Sequence, residues 1–290
     1  MLRRLLLAPL VVGLAACSPL ALFDGVVPKD RGSQRVARDL AFGAGPRQKL
    51  DLYAPGKPAS QRLPVIVWFY GGSWNSGDKR VYGFAGRALA AEGFLVAVPD
   101  YRLVPEVRFP TFIEDGAAAV RWVRANAARY GGDPDRIVLA GHSAGAYNAA
   151  MLSLDPQWLG ADRKAVKGFA GLAGPYDFLP LSGPATTAAF GQAPDKAATQ
   201  PISFARAGSP PAFLATGADD TLVRPRNSVV LAQRLAAAGV AAEARLYPKI
   251  GHVGILTALS RPARGRAPVL RDLADFARRV TAEERPFVER

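Results

Sequence analysis

The sequence predicts an α/β domain, a doubly wound and mostly parallel sheet with helices on both faces and at most a small cap. Three observations carry this. Runs such as "LPVIVWF" and "IVLA" are apolar throughout, which suits strands buried on both faces rather than half-exposed ones. They alternate with stretches of good helix formers, the order that builds parallel βαβ units. The chain of 290 residues is 49% apolar, and neither a linker nor an internal repeat divides it, so one large core is expected.

The first residues stand apart from that domain. Arg3 and Arg4 precede an apolar stretch at 5–16 that is too short to span a bilayer, which needs about 20 residues, but fits a secretory signal. It closes on Leu14-Ala15-Ala16-Cys17, which resembles the lipobox of bacterial lipoproteins. That resemblance implies acylation of Cys17 as the mature N-terminus, and Ser18 after it favours the outer membrane of a bacterial envelope. Cys17 is the sole cysteine, so no intramolecular disulfide can form. Residues 17–35 read as an irregular, lipid-anchored tether, and residues 36–290 as the α/β domain.

Within 36–290 the elements follow in order. Strands are read at 36–42 and 49–53, with a strong one at 63–70, and a proline-free stretch predicts a helix at 80–92. Strand 94–99, helix 112–130, strand 137–140 and helix 144–154 continue the alternation. Strands at 166–172 and 211–216, helix 227–238, strand 241–247 and a closing helix at 268–280 complete it. Ligands of such sheets bind at the carboxyl ends of the strands. Four suggestive loops fall there: "GGSW" after 63–70, Ser143 after 137–140, "GADD" after 211–216 and "YPKIGH" after 241–247.

Ser143 lies in Gly141-His142-Ser143-Ala144-Gly145, between an apolar run and an alanine-rich one. A serine on such a turn takes strained dihedrals, and neighbouring chain comes so close that only small residues fit at 141 and 145. This is the G-x-S-x-G pattern of a nucleophile elbow. A serine hydroxyl needs a base within hydrogen-bond reach. Of the two histidines, His142 is expected to point away from the serine, which leaves His252. A carboxylate must orient that histidine, and Asp219 and Asp220 both stand in a suitable loop. An oxyanion would be held by the amide of Ala144 and by amides of Gly71, Gly72 and Ser73, with Gly72 and Ser73 the chosen pair.

The chain resembles the α/β-hydrolase carboxylesterases, nearest the group around arylformamidases and bacterial carbohydrate-ester esterases. The likeness runs from "LDLYAP" at 50–55 through "YGGSWNSGDK" at 70–79, "DYRLVPE" at 100–106 and "RWVRANAARYGGDPDRIVLAGHSAGAY" to "GADDTLV" and His252. Family members carry H-G-G-G-W where this chain has Tyr70 for the histidine and Ser73 for the last glycine; the backbone donors survive both changes. The resemblance selects Asp220 over Asp219, since the family's acid stands three residues after the glycine that ends the strand and three before a valine, here Gly217 and Val223.

Lys and Arg number 37 against 24 Asp and Glu, for a net charge of +13. The excess is scattered, densest between Arg261 and Arg279, and argues for a solvated basic face rather than a nucleic-acid partner. Two separated histidines and an acylated cysteine make no metal-ligand cluster, and no cofactor is expected. The one stretch long enough to roof the site, 178–207, is poor in bulky apolar residues, so short-chain, aryl or acetylated-sugar esters are favoured as substrates. Alternatives are an arylformamidase or amidase on the same triad and, in another class, a catalytically silent, surface-anchored binding protein on a hydrolase scaffold. A peptidase of this fold would need a substrate-gating domain for which the chain has no room.

Overall fold

A computed structural model of the protein describes residues 19–282. The expected signal and the lipidation residue Cys17 lie outside the described residues. Eight strands form one sheet: β1 Ser33–Ala41, β2 Lys49–Pro55, β3 Leu63–Phe69, β4 Leu95–Pro99, β5 Gly132–His142, β6 Val166–Leu172, β7 Ala212–Gly217 and β8 Ala242–Tyr247. Their spatial order is β1-β2-β4-β3-β5-β6-β7-β8. β1 and β2 are antiparallel to their neighbours, and β4, β3 and β5 through β8 run parallel. Every expected strand is present, and β5 is longer than its apolar run because Gly132 also pairs with Leu63.

The main helices are α2 Gly83–Ala91, α3 Thr111–Asn126, α4 Ala144–Leu154, α7 Arg226–Ala237 and α9 Val269–Val280, with α1 Pro19–Val26, α5 Pro156–Leu159, α6 Pro184–Phe190 and α8 His252–Thr257 as shorter ones. Successive residues of a strand face opposite sides of a sheet, and β6 shows it. A Cβ on Gly168 would meet Phe276 and Val280 of α9, whereas one on Gly171 would meet Ala146 of α4. Helices therefore cover both faces of a fully apolar sheet centre.

Residues 19–26 correct the reading of an irregular tether, since they form α1. The helix holds because it packs inward: Phe23 meets Phe84 edge-on at 5.2 Å. The Asp24 carboxylate also accepts the Phe84 amide at 2.8 Å, capping the start of α2, where helix N–H groups lack internal partners. Residues 178–207 correct the reading of a roof. Phe178 and Phe190 of this stretch turn onto Trp74 and Tyr147, and the Thr199 carbonyl accepts the Tyr147 hydroxyl at 2.8 Å. These contacts fasten the stretch to the body rather than leave it over the serine.

Candidate active site

Ser143 sits between β5 and α4 at φ 54° and ψ −124°. A left-handed non-glycine residue of this kind costs of order 1–3 kcal/mol. It is held there by its own amide, which donates to the Leu172 carbonyl at 2.8 Å, and by backbone crowding behind it. A Cβ on Gly145 would stand 2.1 Å from the Phe69 carbonyl oxygen, so no other residue fits where α4 passes the end of β3. The elbow expected from the sequence is formed.

The loops after β7 and β8 are stitched together by main-chain bonds, Ala218 N–H to the Tyr247 carbonyl at 2.8 Å and Asp219 N–H to the Ile250 carbonyl at 3.0 Å. A Cβ on Gly217 would lie 2.0 Å from the Ile250 oxygen, so the closeness of the loops depends on that glycine. The result is a hydrogen-bonded relay. The Ser143 hydroxyl donates to His252 Nε2 at 2.9 Å, and His252 Nδ1–H donates to Asp220 Oδ2 at 2.8 Å. Asp220 Oδ1 accepts the amides of Leu222 at 3.0 Å and Val223 at 2.9 Å. Burial alone would raise the Asp220 carboxyl. The hydrogen bonds from His252 and the two amides outweigh it and hold the group below its ordinary value, so Asp220 stays ionised beside the imidazole. Asp219 is exposed and takes no part.

Among the described residues His142 makes no hydrogen bond to Ser143 and packs against His252 instead. Its ring lies 4.8 Å from that of His252, and its Nε2–H donates to the His252 carbonyl at 3.0 Å. It therefore buttresses the imidazole from behind. Burial first, and the neighbouring His252 second, lower its pKa to about 3, so it remains neutral. Sequence spacing gives no sign of this contact, because it joins segments 110 residues apart.

The amides of Gly72, Ser73 and Ala144 donate to nothing among the described residues, and Gly72 and Ser73 line the same cleft as Ser143. Ser73 and Trp74 both adopt positive φ, 52° and 59°. Strain at two such residues is offset by packing, for the buried Trp74 ring contacts Phe112, Tyr147, Phe178 and Phe190 and its Nε1–H donates to Asn148 Oδ1 at 3.2 Å. Tyr70, the residue that replaces the family's histidine, stacks between Tyr82 and Tyr101 at 5.4 and 4.7 Å. Its hydroxyl accepts from Arg47 Nη2 at 2.7 Å, and the same guanidinium reaches the carbonyls of Gly77 at 2.7 Å and Tyr101 at 2.9 Å. Arg47 thus ties the two ends of the loop together, a role that no local motif signals.

The cleft holds about 440 Å³ and is walled by Leu20 and Phe23 of α1, Tyr82, Leu222, and Val253 and Leu256 of α8. These walls are apolar, and no charged side chain lines the cleft apart from what the relay provides. A site of this kind can deliver a serine oxygen to an apolar electrophile, take up the proton at His252 and offer amides to a developing oxyanion.

Comparison with known proteins agrees with that chemistry. The BD-FAE family model matches residues 50–235. The chain is 38% identical over 160 residues to a probable isoprenylcysteine alpha-carbonyl methylesterase, ICMEL1, of Oryza sativa subsp. japonica, covering 51% of this chain and 37% of that protein. It is 35% identical over 156 residues to esterase LipC of Mycobacterium tuberculosis, covering 51% and 38%. The chain thus spans less than two fifths of the length of these curated relatives. Among solved structures, a truncated carbohydrate esterase from gut microbiota superposes with a TM-score of 0.76 at 22% identity, covering 89% of this chain and all of that one, a likeness of fold.

Two measurements check this geometry. Asp220→Asn keeps the shape but loses the charge that fixes the imidazole, so kcat on a short aryl ester is expected to fall by about 10⁴, while Asp219→Asn changes it less than about tenfold. The reverse ranking would assign the acid to Asp219. The second concerns stability. Because His142 refuses in the folded state a proton that the unfolded chain accepts below its ordinary value of 6.5, folding stability falls as pH drops from 6.5 toward 3. In urea unfolding at pH 7 and pH 4.5, His142→Gln is expected to lose less between the two than the parent; an equal loss in both would remove the buried neutral ring from the account.

Proposed function

The chain belongs to the BD-FAE family of α/β-hydrolases, and we propose that it is a serine carboxylesterase acting through an acyl-enzyme on Ser143. The observation that carries this reading is the relay of 2.9 and 2.8 Å from Ser143 through His252 to an ionised Asp220, opening on an apolar cleft. Ser143 Oγ attacks the ester carbonyl carbon while His252 Nε2 takes its proton. The carbonyl oxygen becomes an oxyanion, held by the free amides of Gly72, Ser73 and Ala144. Collapse breaks the bond to the alkoxy oxygen, which leaves as alcohol with the proton from His252. Water, deprotonated by the same imidazole, then attacks the acyl-enzyme and releases the acid.

The cleft narrows the substrate class. Sugar recognition needs several convergent polar side chains, and this lining has few outside the relay, so apolar alkyl or aryl esters fit better than acetylated sugars. The relatives' names point the same way in part: one is called a methylesterase of isoprenylcysteine and another simply an esterase. We further propose that Cys17 carries the lipid anchor of a bacterial envelope protein, with the outer membrane favoured, because the apolar run at 5–16 ends on it.

A fluorophosphonate probe is expected to label the wild-type protein at Ser143. Ser143→Ala is expected to abolish labelling and to lower hydrolysis of a short aryl ester by about 10⁶ without loss of fold. Residual activity above a few per cent would mean another nucleophile, and an unreactive wild-type serine would favour a silent binding protein. For the anchor, fatty-acid labelling in cells is expected to tag the full-length protein and not Cys17→Ser. Wild-type protein recovered unlabelled and soluble would remove the lipoprotein proposal.

A further inference from the structure

The most exposed large apolar side chains among the described residues are Val26 at 72%, Leu222 at 71%, Leu22 at 65% and Val253 at 60%. All four stand on the segments that wall the cleft over Ser143: α1, the loop after Asp220, and α8. Single apolar side chains scattered on a surface are ordinary, but four gathered around one opening are not. On α1 the helical period separates two faces. Leu20, Phe23 and Val27 turn inward, while Leu22 and Val26, four residues apart, share the outer one. Nor is this a frayed end, since Asp24 caps Phe84 and pairs with Lys29 at 3.2 Å, and Asp30 just beyond pairs with Arg264 at 3.0 Å.

Charge borders the same rim. Arg224, Lys249 and Arg261 are exposed on or close to these segments, and none has an acidic partner among the described residues. Asp219, on the loop before Leu222, is exposed as well. Apolar side chains fringed by unpaired cations are the composition that settles into an anionic lipid surface. The chain also leads there: Cys17 precedes Pro19 by two residues, at most about 7 Å of extended backbone, so an acyl anchor on it would hold α1 at the bilayer.

We infer that the rim formed by Leu22, Val26, Leu222 and Val253 docks on an anionic lipid surface, and that the site takes amphiphilic esters whose apolar tails stay in the lipid. The inference rests on the serine esterase reading. A cleft of about 440 Å³ holds only the part of a substrate nearest the ester, and an opening flush with the bilayer lets the rest remain where it is soluble.

The test compares full-length wild type with Leu22→Glu/Val26→Glu, two positions outside the cleft. The substrates are p-nitrophenyl acetate in solution and p-nitrophenyl laurate dispersed in phosphatidylglycerol or in phosphatidylcholine vesicles. Wild type is expected to hydrolyse laurate several-fold faster from the anionic vesicles. The double variant is expected to lose about tenfold on those vesicles while keeping its rate on acetate, since any anchor is common to both proteins. Equal rates on vesicles for the two proteins, or no preference for the anionic lipid, would overturn the docking face. An equal loss on acetate would overturn it too, by assigning Leu22 and Val26 to the cleft instead. A wild type inert on both esters would instead sink the esterase reading on which the inference stands.

Discussion

Ser143 holds a left-handed backbone that an isolated chain would avoid, and most of the architecture around the site can be understood as what keeps it there. β5 delivers the serine from the middle of the sheet, with β3 on one side and β6 on the other. β6 supplies the Leu172 carbonyl that fixes the Ser143 amide, and β3 supplies the Phe69 carbonyl against which only Gly145 fits. The same neighbour relation makes the chemistry possible. Because β3 pairs with β5, the loop that follows β3 emerges beside the serine with its amides free. Because β7 and β8 are parallel and in register, Asp220 and His252 leave the sheet on the same rim although 32 residues separate them.

The oxyanion loop is the second strained element, and its support is built from aromatic rings. Trp74 is gripped by four aromatic neighbours on one side of the loop, and Tyr70 is stacked between two tyrosines on the other. Arg47 closes the arrangement by bonding Tyr70, Gly77 and Tyr101 at once. The buried Lys79 continues it: its amide donates to Asp100 at 2.8 Å and its ammonium pairs with Asp51 at 3.0 Å. A buried ammonium is tolerated only when paired in this way, and the pairing fastens the far end of the loop to β2 and the end of β4. Replacement of the family's histidine by Tyr70 thus leaves the loop held by stacking and a guanidinium.

The parts of this arrangement that sequence reveals are those with short-range signals. Continuous apolar runs marked the central strands, and the glycines at 141 and 145 marked the elbow, because buried strands and close backbone approach restrict composition directly. His252 was legible as the base because the chain holds only one other histidine, and Asp220 as the acid because its loop falls at a strand end and the family resemblance selects it over Asp219. What escaped depended on packing between distant segments. α1 is eight residues long, too short for propensity to announce a helix, and it is stable through Phe84 and the Asp24 cap. The contact of His142 with His252 escaped because it joins segments far apart in sequence. The stretch 178–207 looked too sparse in bulky residues to pack, yet Phe178, Phe190 and the Thr199 carbonyl draw it onto Trp74 and Tyr147, so the cleft is walled by α1 and α8 instead.

The account rests on Ser143 being the atom that receives the acyl group. Acid quenching during turnover of p-nitrophenyl butyrate, followed by proteolysis and mass spectrometry, measures that directly. The peptide containing Ser143 should carry one butyryl group, at a level that rises when His252 or Asp220 is altered so as to slow deacylation more than acylation. Product formation with the butyryl group absent from Ser143, or found on another side chain, would contradict the account.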